Sequence, residues 1–240
     1  MQKTGFTLLE LSIVLVIIGL IVGGVTVGSE MIRQAELSKV VHELQQIETA
    51  MHGFKLKYNA LPGDLSNAKS YWPDNSQFAG FATPNGNGDG VLAESNTQVE
   101  KYGAWQHLAL SGFMTQSFSG AAPAVPGVSV MGSALEGGAY QFRCTLATQC
   151  VSTSHFGRTG NFITLATMDA SNTNFPVGPL LSTPDAQSID AKMDDGIAHK
   201  GRVFGVNSTL TTGCSDNYTN AGADYQLTST GPQCRLSYWY

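Results

Sequence analysis

The chain has 240 residues and a formal charge of −5, from 13 lysines and arginines against 18 aspartates and glutamates. Charged residues make up only 13% and form no basic stripe, so the composition does not indicate a nucleic-acid platform. The length suits one sizeable domain plus an anchor, and beyond about residue 35 nothing resembles a second membrane segment.

The run Gly5 to Gly24, GFTLLELSIVLVIIGLIVGG, is apolar apart from Glu10. From Leu11 to Ser29 there is no charge. At 1.5 Å per residue this uncharged stretch covers about 28 Å as a helix, close to the hydrocarbon thickness of a bilayer. A carboxylate inside such a segment is expensive, which makes Glu10 a functional residue by default. Gly19, Gly23, Gly24 and Gly28 interrupt the run; glycine lowers helix propensity and permits close helix approach. An ordinary secretory signal prefers an uncharged core and a small-x-small cut site, and Glu10 and Val25-Thr26-Val27-Gly28 fit neither. A plain signal anchor fits the hydropathy and leaves Glu10 unexplained. A buried core helix is disfavoured by the uninterrupted apolar length.

A short polar leader ending in Gly5, then Phe6, then Glu10, resembles the N-terminal signature of type IV prepilins and pseudopilins. The resemblance is specific over about residues 1–30 and looser through Tyr58. It implies cleavage by a prepilin peptidase between Gly5 and Phe6 and N-methylation of Phe6. It also implies a single-pass inner-membrane precursor, held in lipid and then drawn by inner-membrane assembly machinery into a periplasmic or cell-surface filament. The partners it implies are further copies of the chain or other pilin-like subunits. Within the bundle of such a filament the Glu10 carboxylate needs compensation, which a neighbour's Phe6 ammonium supplies, setting the axial register. The proline that often kinks the family's helix is Val27 here, so the Gly23-Gly24 pair is the expected soft point.

After Glu30, residues Val40, Leu44, Ile47, Met51, Phe54 and Tyr58 recur at steps of four and three, an amphipathic stripe. Glu36, Lys39, Glu43, Gln46 and Lys55 are read as lying largely off it. One helix is predicted from about Phe6 to Tyr58, and the breaker cluster Asn59-Ala-Leu-Pro-Gly-Asp64 ends it. The chain thus divides into a leader (1–5), a membrane or filament-core helix (6–29), its amphipathic continuation (30–58) and a globular head (59–240).

In the head, ALPGDL at Ala60–Leu65, the Asn-Gly run and the later Asp-Asp-Gly resemble elements of some larger pilin-like proteins. Asn85, Asn87 and Asp89 alternate, followed by Gly90 and the apolar Leu92, as in the first half of a calcium loop. The twelfth position is Asn96 rather than the usual glutamate. The same residues favour a glycine-asparagine turn, so turn and calcium both stand, and no cofactor other than calcium is indicated. Glu94 to Gly112 reads as a helix with Val99, Tyr102, Trp105 and Leu108 inward, Gly112 as its stop, and His107 packed beside that face. Residues 117–133 read as a loop.

Ala139–Leu146 and Asn161–Met168 read as strands. Ser182 to Ile197 reads as a helix with Thr183 as N-cap and Pro184 at its first position, ended by Asp194, Asp195 and Gly196. Arg202–Val206 and a segment near Tyr225–Leu227 are further strand candidates, and the aromatic end Leu236–Tyr240 is assigned to the core. The predicted fold is α+β: a long helix packed on an antiparallel-sheet head, pilin-like.

The four cysteines, Cys144, Cys150, Cys214 and Cys234, form no CxxC pair. An even count in an exported chain favours disulfides. Three pairings are open; Cys144–Cys150 and Cys214–Cys234 are preferred because each closes a local loop. No GxSxG, HExxH or Walker pattern occurs, and the five histidines are scattered, so a structural subunit rather than an enzyme is expected.

Overall fold

A computed structural model describes residues 7–73, 83–93, 100–145, 150, 158–168, 176–207, 213–216, 223–229 and 231–240. Gly5, Phe6 and the start of the predicted 94–112 helix therefore lie outside the described residues.

Helix α1 runs without interruption from Leu8 to Tyr58. Its first half is apolar on every face, and among the described residues nothing packs against it. Its second half buries one stripe, Leu37, Val40, Leu44, Ile47, Met51 and Phe54, in the main core. The stop is Asn59, in the left-handed region at φ 50°. Asparagine tolerates that conformation, and its N–H donates to the Lys55 carbonyl to close the last turn.

A short turn of helix, α2 (Ala68–Tyr71), and α3 (Glu100–Leu110) follow. Gly112, at φ 81°, ends α3. Its N–H donates to Ala109 and that of Phe113 donates to Leu108, the paired bonds of a Schellman stop. Strands β1 (Gly138–Cys144), β2 (Asn161–Thr167), β3 (Val203–Asn207) and β4 (Cys234–Trp239) form one sheet in the order β1-β2-β4-β3, antiparallel throughout. Helix α4 (Thr183–Met193) packs between α1 and the β3 side of the sheet.

Side chains alternate across the sheet as strand geometry requires. Tyr140, Phe142, Ile163, Leu165, Val203, Leu236 and Tyr238 join the main core with α1. Phe162, Phe204, Val206 and Trp239 form a smaller cluster of their own. Trp105 of α3 packs on Phe142, ring centroids 4.5 Å apart. Two disulfides staple this architecture, Cys144–Cys150 and Cys214–Cys234.

Three local expectations need correction. Ser182, not Thr183, caps α4: its hydroxyl accepts the Asp185 N–H, which shifts Pro184 one position inward. Tyr225 makes only an isolated bridge to Ser215 rather than a strand. Its ring lies over Gly205, where an added Cβ would fall 2.2 Å from it, and its hydroxyl is bound by Asp190. The C-terminal segment instead supplies the inner strand β4, between β2 and β3.

Candidate functional site

Thr7 and Glu10 begin α1 as a reciprocal capping box. The Glu10 carboxylate accepts the Thr7 N–H and hydroxyl, both at 2.8 Å, and the Thr7 hydroxyl accepts the Glu10 N–H at 3.3 Å. Free N–H groups at a helix start need acceptors, and this pair supplies them where lipid would not. The spacing Thr7-x-x-Glu10 before an apolar run is a legible sign of this cap. Thr7 therefore belongs with Glu10, a partner that the reading of the charge alone overlooked.

Beyond the cap the helix is bare. Leu8 is 91% exposed and Ile17 50%, and the most apolar window of α1 has no buried residue. At Gly19, Gly23, Gly24 and Gly28 an added Cβ would meet nothing within 4 Å. A helix that exposes an apolar surface on all sides needs lipid or other helices around it.

The second half of α1 is fastened to the head by polar contacts along its length. The Arg33 guanidinium donates to Asp185 of α4 at 2.7 Å. Glu43, read from the sequence as off the buried stripe, is 8% exposed and accepts from the Tyr140 hydroxyl at 2.8 Å and the Ala134 N–H at 3.1 Å. The strand places Tyr140 over α1, and a carboxylate at position 43 meets its hydroxyl there. Glu48 accepts the Tyr238 hydroxyl at 2.5 Å and pairs with Arg202. Burial pushes Glu48 up, but these two donors outweigh it and hold the carboxyl below its usual range. The head is thus held to α1 at three levels, which fixes how it is presented relative to the bare half.

The loop holding Asn85, Asn87 and Asp89 is built on two buried carboxylates and a buried histidine. Asp64, 3% exposed, accepts the N–H groups of Gly88, Asp89 and Gly90 at 2.7, 3.1 and 2.8 Å. Glu100 accepts those of Asn87 and Ala93. Burial raises the pKa of both acids against the pull of these donors. His107 Nδ1 accepts the Gly63 N–H at 2.8 Å, and its Nε2 lies 2.9 Å from the Pro84 carbonyl, so the neutral ring bonds through both nitrogens. Burial lowers its pKa to about 4. Backbones pack closely here: a Cβ on Gly86 would fall 2.3 Å from the Asp64 backbone. The three side chains of the calcium reading are used locally. Asn85 Oδ1 accepts the Lys69 N–H, Asn87 Oδ1 that of Asp89, and Asp89 Oδ1 that of Val91. The Asn87 and Asp89 bonds, each to the N–H two residues on, are Asx turns, whereas Asn85 ties the loop to α2. Asp64, Glu100 and His107 hold the loop from elsewhere in the chain, and only the tertiary fold brings them there.

At the end of α4, Asp194 accepts the N–H groups of Arg202 and Val203, and Asp195 pairs with Lys200 at 3.4 Å. The N–H groups satisfy Asp194 in hydrogen bonds and the Lys200 ammonium offsets the charge of Asp195, easing two acids that oppose the helix dipole. Asp190, fully buried, accepts the Tyr225 hydroxyl at 2.9 Å; desolvation raises its pKa to about 7. The Ser215 hydroxyl and His199 Nε2 lie 2.9 Å apart, with both residues at 2% exposure or less. The pair links the Cys214–Cys234 loop to the start of β3 and is closed to a substrate.

No curated protein and no solved structure matches the chain. One family does match: the prokaryotic N-terminal methylation motif covers residues 1–26, which spans Gly5, Phe6, the Thr7–Glu10 cap and most of the uncharged run. The chain thus carries, over residues 1–26, the N-terminal signature of the type IV pilins and pseudopilins.

Proposed function

We propose that the chain is a structural subunit of a type IV pilus-like filament. Residues 1–5 form the leader, 6–29 the membrane and later filament-core helix, 30–58 its amphipathic half, and 59–240 the head. Prepilin peptidase cuts between Gly5 and Phe6 and methylates the Phe6 amine. The precursor sits in the inner membrane, and subunits leave it as their α1 helices bundle. The carrying observation is an apolar helix bare on every side, continuous with the helix that anchors the head, under a methylation motif at residues 1–26.

In lipid, Thr7 satisfies part of the Glu10 carboxylate. In the bundle a neighbour's Phe6 ammonium supplies the opposite charge, and the axial stagger that brings the two together is selected. The pair acts as a register device more than as a source of stability.

The test is intact mass and N-terminal sequencing of protein from its native membranes. A chain beginning at N-methyl-Phe6 supports the proposal. A chain beginning at Met1 in peptidase-competent cells, or cut beyond residue 25, refutes it in favour of a signal-anchored periplasmic binding or enzymatic domain. A second reading, a pseudopilin of a type II secretion system, draws on the partial calcium spacing at Asn85, Asn87 and Asp89. Deletion separates the two: loss of surface fibres supports the pilin, and loss of secreted enzymes with fibres intact supports the pseudopilin.

A further inference from the structure

The stop of α1, the turn after it and the loop of residues 83–93 enclose a cleft of about 610 Å³. This is within the size range of small-ligand sites. Its wall holds polar side chains with unspent hydrogen-bonding capacity. Among the described residues, Lys55, Asn59, Ser66 and Asn67 line the cleft and their side chains have no hydrogen-bond or ion-pair partner. Asn67 is the N-cap residue of α2 and makes no capping bond. Asp64, on the same wall, is already committed to three backbone N–H groups.

An aromatic wall adjoins them. Tyr58 lines the cleft, and its ring meets Tyr71 and Trp72 edge-on at 5.2 and 5.4 Å. Two more lysines stand close in the chain: Lys57, whose ammonium lies 5.1 Å from the Tyr58 ring centroid, and Lys69 on α2. None of these three lysines has a carboxylate partner among the described residues, whereas Arg33, Lys200 and Arg202 are all paired. In a chain of net charge −5 this is a local cationic surface.

We propose that the cleft binds an acidic saccharide, an oligosaccharide containing uronate sugars. Its carboxylate pairs with Lys55, its vicinal hydroxyls bond to Asn59, Ser66 and Asn67, and an apolar ring face lies against Tyr58. Amides suit neighbouring hydroxyls because each offers a donor and an acceptor. A nucleic-acid strand fits less well. Its phosphate oxygens only accept hydrogen bonds, so they leave the acceptor oxygens of the Asn59 and Asn67 amides unused, whereas sugar hydroxyls both donate and accept.

The test uses the full-length chain in detergent, titrated calorimetrically with trigalacturonate, a neutral galactose trimer and an oligothymidylate. Trigalacturonate is expected to bind at least about tenfold more tightly than either other probe. Lys55→Gln and Asn67→Ala are each expected to weaken it about tenfold, with near-ultraviolet circular dichroism unchanged. Lys39→Gln, on an exposed turn of α1 away from the cleft, is expected to leave it unaltered. No saturable trigalacturonate binding, equal binding of the neutral trimer, or tighter binding of the oligothymidylate would overturn the proposal. So would equal losses in Lys39→Gln and Lys55→Gln, which would mark unspecific charge attraction.

Discussion

His107 offers the sharpest test of how the head is held together, because its neutral state is built into the fold. Nδ1 accepts from Gly63 and Nε2–H donates to Pro84, so an added proton at Nδ1 would face the Gly63 N–H donor to donor. The side chain is fully buried. Its pKa is about 4 in the folded chain against 6.5 for a free histidine. Between those values the unfolded chain binds more protons than the folded one, so acid favours unfolding. The contribution is complete at pH above the unfolded value and is lost as pH falls toward 4. That gap corresponds to about 3 kcal/mol in the acid limit, of which ~2 kcal/mol is spent by about pH 5.

Asp190 opposes this. Its folded pKa of about 7 lies above the 3.8 of a free aspartate, so the folded chain holds that proton more tightly. The Asp190 contribution is full below its unfolded value and lost as pH rises toward 7, the reverse of His107. The wild-type profile therefore mixes two opposite slopes, and the histidine has to be read as a difference. Relative to a His107→Gln chain, the wild type is expected to lose about 2 kcal/mol of its advantage between about pH 7.5 and pH 5, or roughly 4–8 °C in melting temperature for a head of this size. Melting followed by near-ultraviolet dichroism on the full chain in detergent reads this directly. A wild-type-minus-variant difference that stays flat over that range would refute the assignment of a buried neutral histidine.

Further consequences follow at other levels. Glu10→Ala is expected to impair filament assembly while leaving the melting of the head unchanged, because among the described residues Glu10 bonds only to Thr7; electron microscopy and dichroism read the two separately. Gly23→Leu is expected to have the same split effect, since no atom stands near Gly23 in the isolated chain and crowding arises only between helices. Breaking the Cys214–Cys234 bridge with paired serines opens a loop spanning a sequence separation of 20 residues, and the chain-entropy relation predicts a loss of about 3 kcal/mol, seen as a lower melting temperature. Calcium at Asn85, Asn87 and Asp89 would raise the melting temperature by mass action, in a way that chelator and Asp89→Ala both remove; a shift below about 1 °C at millimolar calcium would reject it.

The parts of this molecule that follow from local pattern were legible in the sequence, and those set by tertiary meeting were not. The uncharged run, the step-of-four-and-three stripe and the breaker after Tyr58 depend on spacing alone, and α1 follows them from Leu8 to Tyr58. The Gly112 stop of α3 was readable for the same reason. Glu43 was misplaced because helical periodicity ranks positions by hydrophobicity and has no knowledge of Tyr140, which arrives from 97 residues later. The inner strand β4 shows in the sequence only as an aromatic end, because its place between β2 and β3 is set by tertiary pairing. The packing of His107 beside α3 was legible, but the hold of Asp64, Glu100 and His107 on the loop was not, because their partners are backbone N–H and carbonyl groups, which every residue carries.

Glu10 shows the limit most clearly. Its cost in lipid could be read from hydropathy, and its capping role from the residue three positions before it. The two readings concern one carboxylate and point to a sequence of events. Thr7 gives the carboxylate two donors and no described residue brings it an opposite charge, so among the described residues the site is satisfied in hydrogen bonds and uncompensated in charge. A lone chain can hold such a group at the membrane surface, where water screens it. Deep among apolar helices the remaining charge costs several kcal/mol unless a cation arrives. The cap therefore makes the monomer tolerable without removing the incentive to assemble, and a conservative Glu10→Gln change separates the two. It keeps an acceptor for the Thr7 donors and removes the charge, so the helix start should survive while the selection of a single stagger is lost.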